Sequence, residues 1–128
     1  MSALVLDAGA FIAVERNDRA TVARLGAALR QHVDLRTTAI VLGRVWRDPQ
    51  GRQAARLARL MHAVDVRPVD EQMGRRAGVL LARAGTSDPI DATVALVAES
   101  GDRILTSDPS DLRRLVAASG ARAAVIAC

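Results

Sequence analysis

The 128-residue sequence predicts an α/β protein with a largely parallel sheet covered by helices on both faces. Two observations carry this prediction. Short apolar segments rich in branched residues alternate along the chain with longer segments of helical apolar spacing. Aspartates precede several helical segments and glycines follow them, as helix caps do. The length allows one hydrophobic core, so we expect a single domain over residues 1–128.

The first half of the chain predicts two strands and four helices. In order, these are a strand over Ala3–Leu6, a helix over 8–15, a helix over 19–32, a strand over 35–38, a helix over 40–46 and a helix over 51–63. The apolar segment that ends at Asp7 is typical of a buried strand. The second helix is predicted to bury Val22, Leu25, Ala28 and Leu29.

The second half predicts three strands and three helices. These are a strand over 64–68, a helix over 70–84, a helix over 88–100, a strand over 103–106, a helix over 108–119 and a strand over 123–126. The pattern S-D-P-x-D occurs at Ser87–Asp91 and again at Ser107–Asp111. Both copies fit a helix start with aspartate as the N-cap and proline in the first turn.

The charged residues exclude some chemistry and favour one class of partner. All 18 basic residues are arginine, which excludes mechanisms that depend on a Schiff-base or P-loop lysine. The net charge of +4 favours a polyanionic partner such as nucleic acid. No apolar run is long enough to cross a membrane, no signal peptide is evident, and Cys128 is the only cysteine. We therefore expect a cytoplasmic protein without disulfides.

Acidic residues follow two of the predicted strands. Asp7 ends the first strand, and Asp108 follows the strand over 103–106. Because parallel strands end at the same edge of a sheet, both belong to one edge, where α/β proteins bind ligands. Asp88 and Asp91 would join them if their helix begins there. Clustered carboxylates are suited to Mg²⁺ or Mn²⁺, and such ions support phosphodiester hydrolysis. Capping alone would also account for Asp88, and Asp111 is most simply an exposed acid of the first helical turn.

Three motifs in order resemble a PIN domain, more narrowly the VapC-type ribonuclease toxins of bacterial toxin–antitoxin pairs. The motifs are L-V-L-D-A at Leu4–Ala8, D-A-T-V-A-L-V-A at Asp91–Ala98 and I-L-T-S-D at Ile104–Asp108. The resemblance spans nearly the whole chain. It implies a three-layer α/β/α sandwich, a metal-dependent ribonuclease, a homodimer and inhibition by a small antitoxin.

The resemblance also assigns residues. It implies that Asp7, Asp91 and Asp108 are catalytic metal ligands and that Thr106 is a supporting hydroxyl next to them. The family's second acid is usually a glutamate in a setting like V-L-x-E-V, but this chain has Arg44 at the matching position. Asp88 is a candidate replacement ligand, and Glu15 is another.

Arg44 is expected to point toward the acidic pocket. Its guanidinium would either pair with Asp7 or Asp91 in the metal-free protein, or contact the scissile phosphate while Asp88 serves as a ligand. Coulomb repulsion between a guanidinium and a divalent ion favours the first arrangement.

Further arginines and apolar residues indicate partner surfaces. Arg52, Arg56 and Arg59 share one helix face, and with Arg44 and Arg47 they are candidate RNA contacts, although a solvated helix face would look the same. By resemblance, an antitoxin segment would bind an apolar groove around Phe11, Val14, Val22, Leu25 and Trp46.

Other α/β classes with acidic strand edges fit less well. A response-regulator receiver needs a lysine, a haloacid dehalogenase needs an aspartate where Gly9 stands, and a dinucleotide-binding fold needs G-x-G-x-x-G. Two functions remain. One is a metal-dependent ribonuclease, and the other is a PIN-fold protein that binds RNA or a partner and cleaves weakly or not at all because of Arg44.

Overall fold

The structure is a computed structural model that describes residues 2–52 and 54–128. Its sheet contains five strands in the order β3-β2-β1-β4-β5, and every neighbouring pair is parallel. The strands are β1 (Ala3–Leu6), β2 (Asp34–Thr38), β3 (Val64–Arg67), β4 (Arg103–Thr106) and β5 (Ala124–Ala127). The predicted α/β class with a parallel sheet is therefore confirmed.

Seven α-helices connect and cover the strands within the described residues. They are α1 (Ala8–Glu15), α2 (Arg19–Arg30), α3 (Leu42–Val45), α4 (Ala54–Met61), α5 (Glu71–Ala84), α6 (Pro89–Val97) and α7 (Pro109–Ser119). A short 3-10 helix at Ala39–Val41 leads into α3. Within those described residues, none of the helices is both long and apolar enough to span a lipid bilayer.

Four predicted helices differ from the structure by more than one residue. The helix predicted over 88–100 is α6, which ends at Val97 because Ala98 has an extended backbone. Helix α2 ends at Arg30 because His32 adopts a left-handed backbone with φ of 57°. The single helix predicted over 40–46 is a 3-10 turn followed by the four-residue α3. The helix predicted over 51–63 is observed as Ala54–Met61, and Gln53, which that prediction included, lies outside the described residues.

The core lies on both sides of β1, whose four residues are all buried. Phe11, Val14 and Leu25 belong to this core, so the prediction that they line a partner groove was wrong. The predicted inner face of α2 is confirmed for Leu25 and Ala28 but was wrong for Val22 and Leu29. Thr21, Leu25 and Ala28 are its buried residues, whereas Val22 and Leu29 are exposed.

A buried ion pair joins β2 to the loop before β4. Arg36 Nη1 lies 2.9 Å from Asp102 Oδ2 and donates to the carbonyl of Val97 at 2.8 Å. The Asp102 carboxylate also accepts the backbone N–H groups of Ala3 at 2.7 Å and Glu99 at 2.8 Å. Burial alone would raise the pKa of Asp102, but these N–H donors and Arg36 outweigh it and lower that pKa.

Candidate metal centre

The site begins where two adjacent strands end. Strands β1 and β4 are parallel neighbours in a register that pairs Leu6 with Leu105. Asp7 and Thr106 follow these two residues, so they reach the same edge of the sheet. Both are buried.

Thr106 connects two of the predicted ligands. Its hydroxyl donates to Asp7 Oδ2 at 2.7 Å and accepts the backbone N–H of Asp108 at 2.9 Å. The other oxygen of Asp7 accepts the N–H of Ala8 at 2.8 Å. Because both carboxylate oxygens of Asp7 are held, its side chain has a defined orientation before any ligand arrives.

The two copies of S-D-P-x-D behave differently. Asp88 caps α6, and its Oδ1 accepts the N–H of Ile90 at 2.9 Å. Asp108 occupies the same position before α7, but its carboxylate makes no capping hydrogen bond there. Capping therefore accounts for Asp88 and leaves the carboxylate of Asp108 unexplained by helix geometry.

Three carboxylates converge at the edge formed by α6 and α7. Carboxylate oxygens of Asp91, Asp108 and Asp111 lie within 4.8 Å of one another. Asp91 is buried and Asp111 is half-buried. Asp7 is not a member of this group of three, although its charge acts on Asp91.

Asp111 is a residue that the sequence reasoning missed, having treated it as an exposed helical acid. A signal was present, because Asp108 and Asp111 have the same i, i+3 spacing as Asp88 and Asp91. Two helices that begin at one sheet edge each bring an acid of their first turn into the same space.

The electrostatics of the cluster are concentrated on Asp91. Burial, and then the charges of Asp7, Asp88 and Asp108, raise its pKa to about 7, and Arg44 opposes the shift. A carboxyl group with this pKa is partly protonated at neutral pH. A divalent cation would offset the same repulsion.

Arg44 lies against the acids, as the resemblance implied, but its main partner is Asp88 and not Asp7 or Asp91, which were the expected ones. Its Nη2 pairs with Asp88 Oδ2, and its Nη1 lies 3.8 Å from Asp91 Oδ1. Hydrogen bonding to Asp88, and then the charges of Asp88, Asp91 and Asp7, raise the pKa of Arg44, although desolvation opposes them. The guanidinium thus occupies one side of the acidic cluster.

The predicted RNA contacts have different surroundings. Arg44 and Arg47 line a groove of about 410 Å³ together with Arg16, which the sequence reasoning did not single out. Arg56 Nη1 donates to the carbonyls of Val14 at 3.3 Å and Glu15 at 3.4 Å, at the end of α1. Arg52 and Arg59 are exposed and are not among the residues that line the groove.

Gly9 allows α1 to approach the loop that carries the site. A Cβ atom at Gly9 would lie 2.7 Å from Ser107 Cβ and 2.9 Å from the Ser107 nitrogen. We expect Gly9→Ala to lower the free energy of unfolding by about 1–3 kcal/mol, because the helix or the loop must shift. Urea denaturation would measure it. Gly78→Ala is the matched control, since no atom of the described residues outside its own stretch of helix lies within 4 Å of the added atom and alanine favours a helix. Equal effects of the two changes would contradict the close approach.

The donor set fits a hard divalent cation. Mg²⁺ binds oxygens at about 2.0–2.1 Å, so two ligands of one ion lie about 3–4 Å apart. Carboxylate oxygens of Asp91, Asp108 and Asp111 lie within 4.8 Å of one another. Small side-chain rotations would therefore bring them to the spacing of ligands on one ion. All three offer carboxylate oxygens, the ligand type that Mg²⁺ and Mn²⁺ prefer.

Comparisons with known proteins identify the fold of this chain but not its family. No protein-family model and no curated protein sequence matches this chain. Among solved structures, a chain of a DNA-bound VapBC complex from Salmonella typhimurium aligns with a TM-score of 0.67 and 20% identity. A chain of the VapBC2 complex from Rickettsia felis, bound to a DNA fragment of its promoter, aligns with a TM-score of 0.68 and 11% identity.

Both alignments cover 98% of this chain and 98% of the matched chain. The fold is therefore a PIN-like α/β/α sandwich of the kind found in VapBC complexes, and the predicted fold class is confirmed. At these identities the likeness concerns the arrangement of the backbone.

Proposed function

We propose that this protein is a cytoplasmic, metal-dependent endoribonuclease of the VapC type, the toxin of a toxin–antitoxin pair. The convergence of Asp91, Asp108 and Asp111 within 4.8 Å, at the carboxyl edge of a PIN-like sheet, carries the proposal. Asp7 lies beside them and is held by Thr106. The cofactor is Mg²⁺ or Mn²⁺.

The residues of the site have distinct roles in this proposal. Asp91, Asp108 and Asp111 would hold the ion, Asp7 would add a further negative charge beside them, and Asp88 is a candidate further ligand. The ion would activate a water molecule and stabilise the charge that develops on the phosphate. Thr106 fixes the Asp7 carboxylate relative to the backbone of Asp108, and this would position Asp7 during the reaction.

Arginines near the acids would supply the affinity for RNA. Arg16, Arg44 and Arg47 line the groove that begins beside the cluster. Their contacts to phosphates would be independent of sequence and sensitive to salt. Arg52, Arg56 and Arg59 extend the positive charge along α4, with Arg56 closest to α1.

The proposed protein partners are a cognate antitoxin and a second copy of the chain. The two similar structures are VapBC complexes, which supports an antitoxin. Trp46 is exposed, and so are Ile40 and Val69, which border an apolar groove along α5. These exposed apolar side chains offer surface for such partners.

Arg44 supports a second function. Its contacts with Asp88 and Asp91 place a guanidinium among the acids that a metal ion would need. A protein that keeps this arrangement would bind RNA or a partner and cleave weakly.

Cleavage of structured RNA with Mg²⁺ or Mn²⁺ separates the two functions. We expect the ribonuclease to lose at least about 100-fold in rate on Asp7→Asn, because the change removes a charge but keeps the size of the side chain. Asp65→Asn, on the exposed part of β3, is the matched control and should cleave like the wild type. RNA binding without metal-dependent cleavage would favour the binding function, and equal cleavage by both variants would contradict the proposed site.

A further inference from the structure

Arg44 is a cation bound to acids of the candidate metal centre. It projects from the short helix α3 and reaches α6, where it pairs with Asp88 and lies 3.8 Å from Asp91. Asp91 is also one of the three carboxylates that converge within 4.8 Å. The guanidinium and a metal ion at that cluster would therefore share one carboxylate.

We infer that Arg44 is an internal competitor of the divalent ion, so that metal binding requires its guanidinium to leave Asp91. This inference rests on the proposed function. A guanidinium and a divalent ion that share a carboxylate lie about 5 Å apart, and in a partly buried site they repel each other strongly. We expect this repulsion to weaken metal binding at least about tenfold. In this competition Asp88 serves as the partner of Arg44 and not as a ligand of the ion, because it lies outside the converging group of three and can keep Arg44 bound after it leaves Asp91.

The surroundings of Arg44 permit this movement. Its side chain is 39% exposed, and the groove of about 410 Å³ lies beside it. Arg16 and Arg47 line the same groove, so a phosphate group bound there would attract the guanidinium away from Asp91. Binding of RNA and binding of metal would then favour each other, since coupling between two ligands is reciprocal.

We expect the protein to fold without the pair between Arg44 and Asp88. Both side chains are partly exposed, and ion pairs of this kind contribute little to stability. Arg44→Gln should therefore fold like the wild type while it removes the competing charge. Arg47→Gln is the matched control, because it removes the same charge from the same groove without touching the acids.

Mn²⁺ titration of the full chain, with free Mn²⁺ measured by electron paramagnetic resonance, tests the inference without RNA. We expect Arg44→Gln to tighten Mn²⁺ binding at least about tenfold and Arg47→Gln to change it less than about threefold. Arg44→Glu adds a carboxylate at the same position and should tighten binding further. Equal affinities in Arg44→Gln and Arg47→Gln, or weaker binding in Arg44→Gln, would overturn the competition.

The same titration separates this inference from the proposed function. If Mn²⁺ binds and Asp91→Asn weakens it, the metal site stands, and the Arg44 variants alone decide the competition. If neither the wild type nor Arg44→Gln binds Mn²⁺, both the metal site and the competition are wrong.

Discussion

Replacing Arg36 by alanine is expected to lower the free energy of unfolding by about 3–5 kcal/mol. The side chains of Arg36 and Asp102 are 10% and 2% exposed, and the pair is 2.9 Å long. Removal of the guanidinium leaves a buried carboxylate with only its backbone donors, and it deprives the carbonyl of Val97 of a hydrogen bond. Urea denaturation followed by circular dichroism would measure the loss.

Arg67→Ala is the matched control for Arg36→Ala. Arg67 lies on the neighbouring strand and pairs with Asp65 at 2.7 Å, but the two side chains are 44% and 54% exposed. We expect its removal to cost less than about 1 kcal/mol, because exposed ion pairs contribute little. If both variants lose the same stability, burial does not decide the strength of the Arg36 pair.

Asp91→Asn is expected to stabilise the metal-free protein at pH 8 by about 2–4 kcal/mol while it removes the response to metal. Burial and the neighbouring acids raise the pKa of Asp91 from an ordinary value of 3.8 to about 7. At a pH between these two pKa values, the folded protein therefore keeps a proton that the unfolded chain has released. The stabilisation from this proton is complete below about pH 4 and is lost as the pH rises through 7. Asparagine has no charge to bury.

Thermal denaturation from pH 5 to pH 8, without and with Mn²⁺, checks this expectation. The advantage of Asp91→Asn over the wild type should grow with pH, and Mn²⁺ should stabilise the wild type alone. Asp34→Asn changes an exposed carboxylate at the start of β2 and should leave the pH dependence unaltered. An advantage of Asp91→Asn that is the same at every pH would show that Asp91 is not the group that titrates.

The strand pattern predicted at which edge of the sheet the candidate site lies, but it did not predict every residue of that site. Asp7 and Asp108 follow apolar strands, and the parallel arrangement of β1 and β4 brings the ends of those strands together, as the sequence indicated. Asp111 was missed because an acid in the first turn of a helix is usually explained by the helix dipole. Only the packing of α6 beside α7 shows that two such turns face each other.

One further error and one feature that the sequence did not reveal have different physical causes. Helix α2 contains apolar residues on more than one face, so the sequence could not decide whether Val22 or Thr21 would be buried. The burial of Arg36 was not foreseen either, because a charged residue inside a strand suggests an edge or a surface. Its partner Asp102 is far away in the sequence, and only the order of strands in the sheet brings them together.

The hydrogen bond between Thr106 and Asp7 joins positions 99 residues apart in the chain. It exists only after β4 has paired with β1 at the centre of the sheet, and such distant pairings form slowly. During synthesis, β1 and β2 can pair long before Thr106, Asp108 and Asp111 have been added. A nascent or truncated chain that lacks β4 and α7 therefore carries Asp7 and Asp91 without the rest of the acidic cluster. The order of strands thus makes any activity of this site a property of the nearly finished polypeptide.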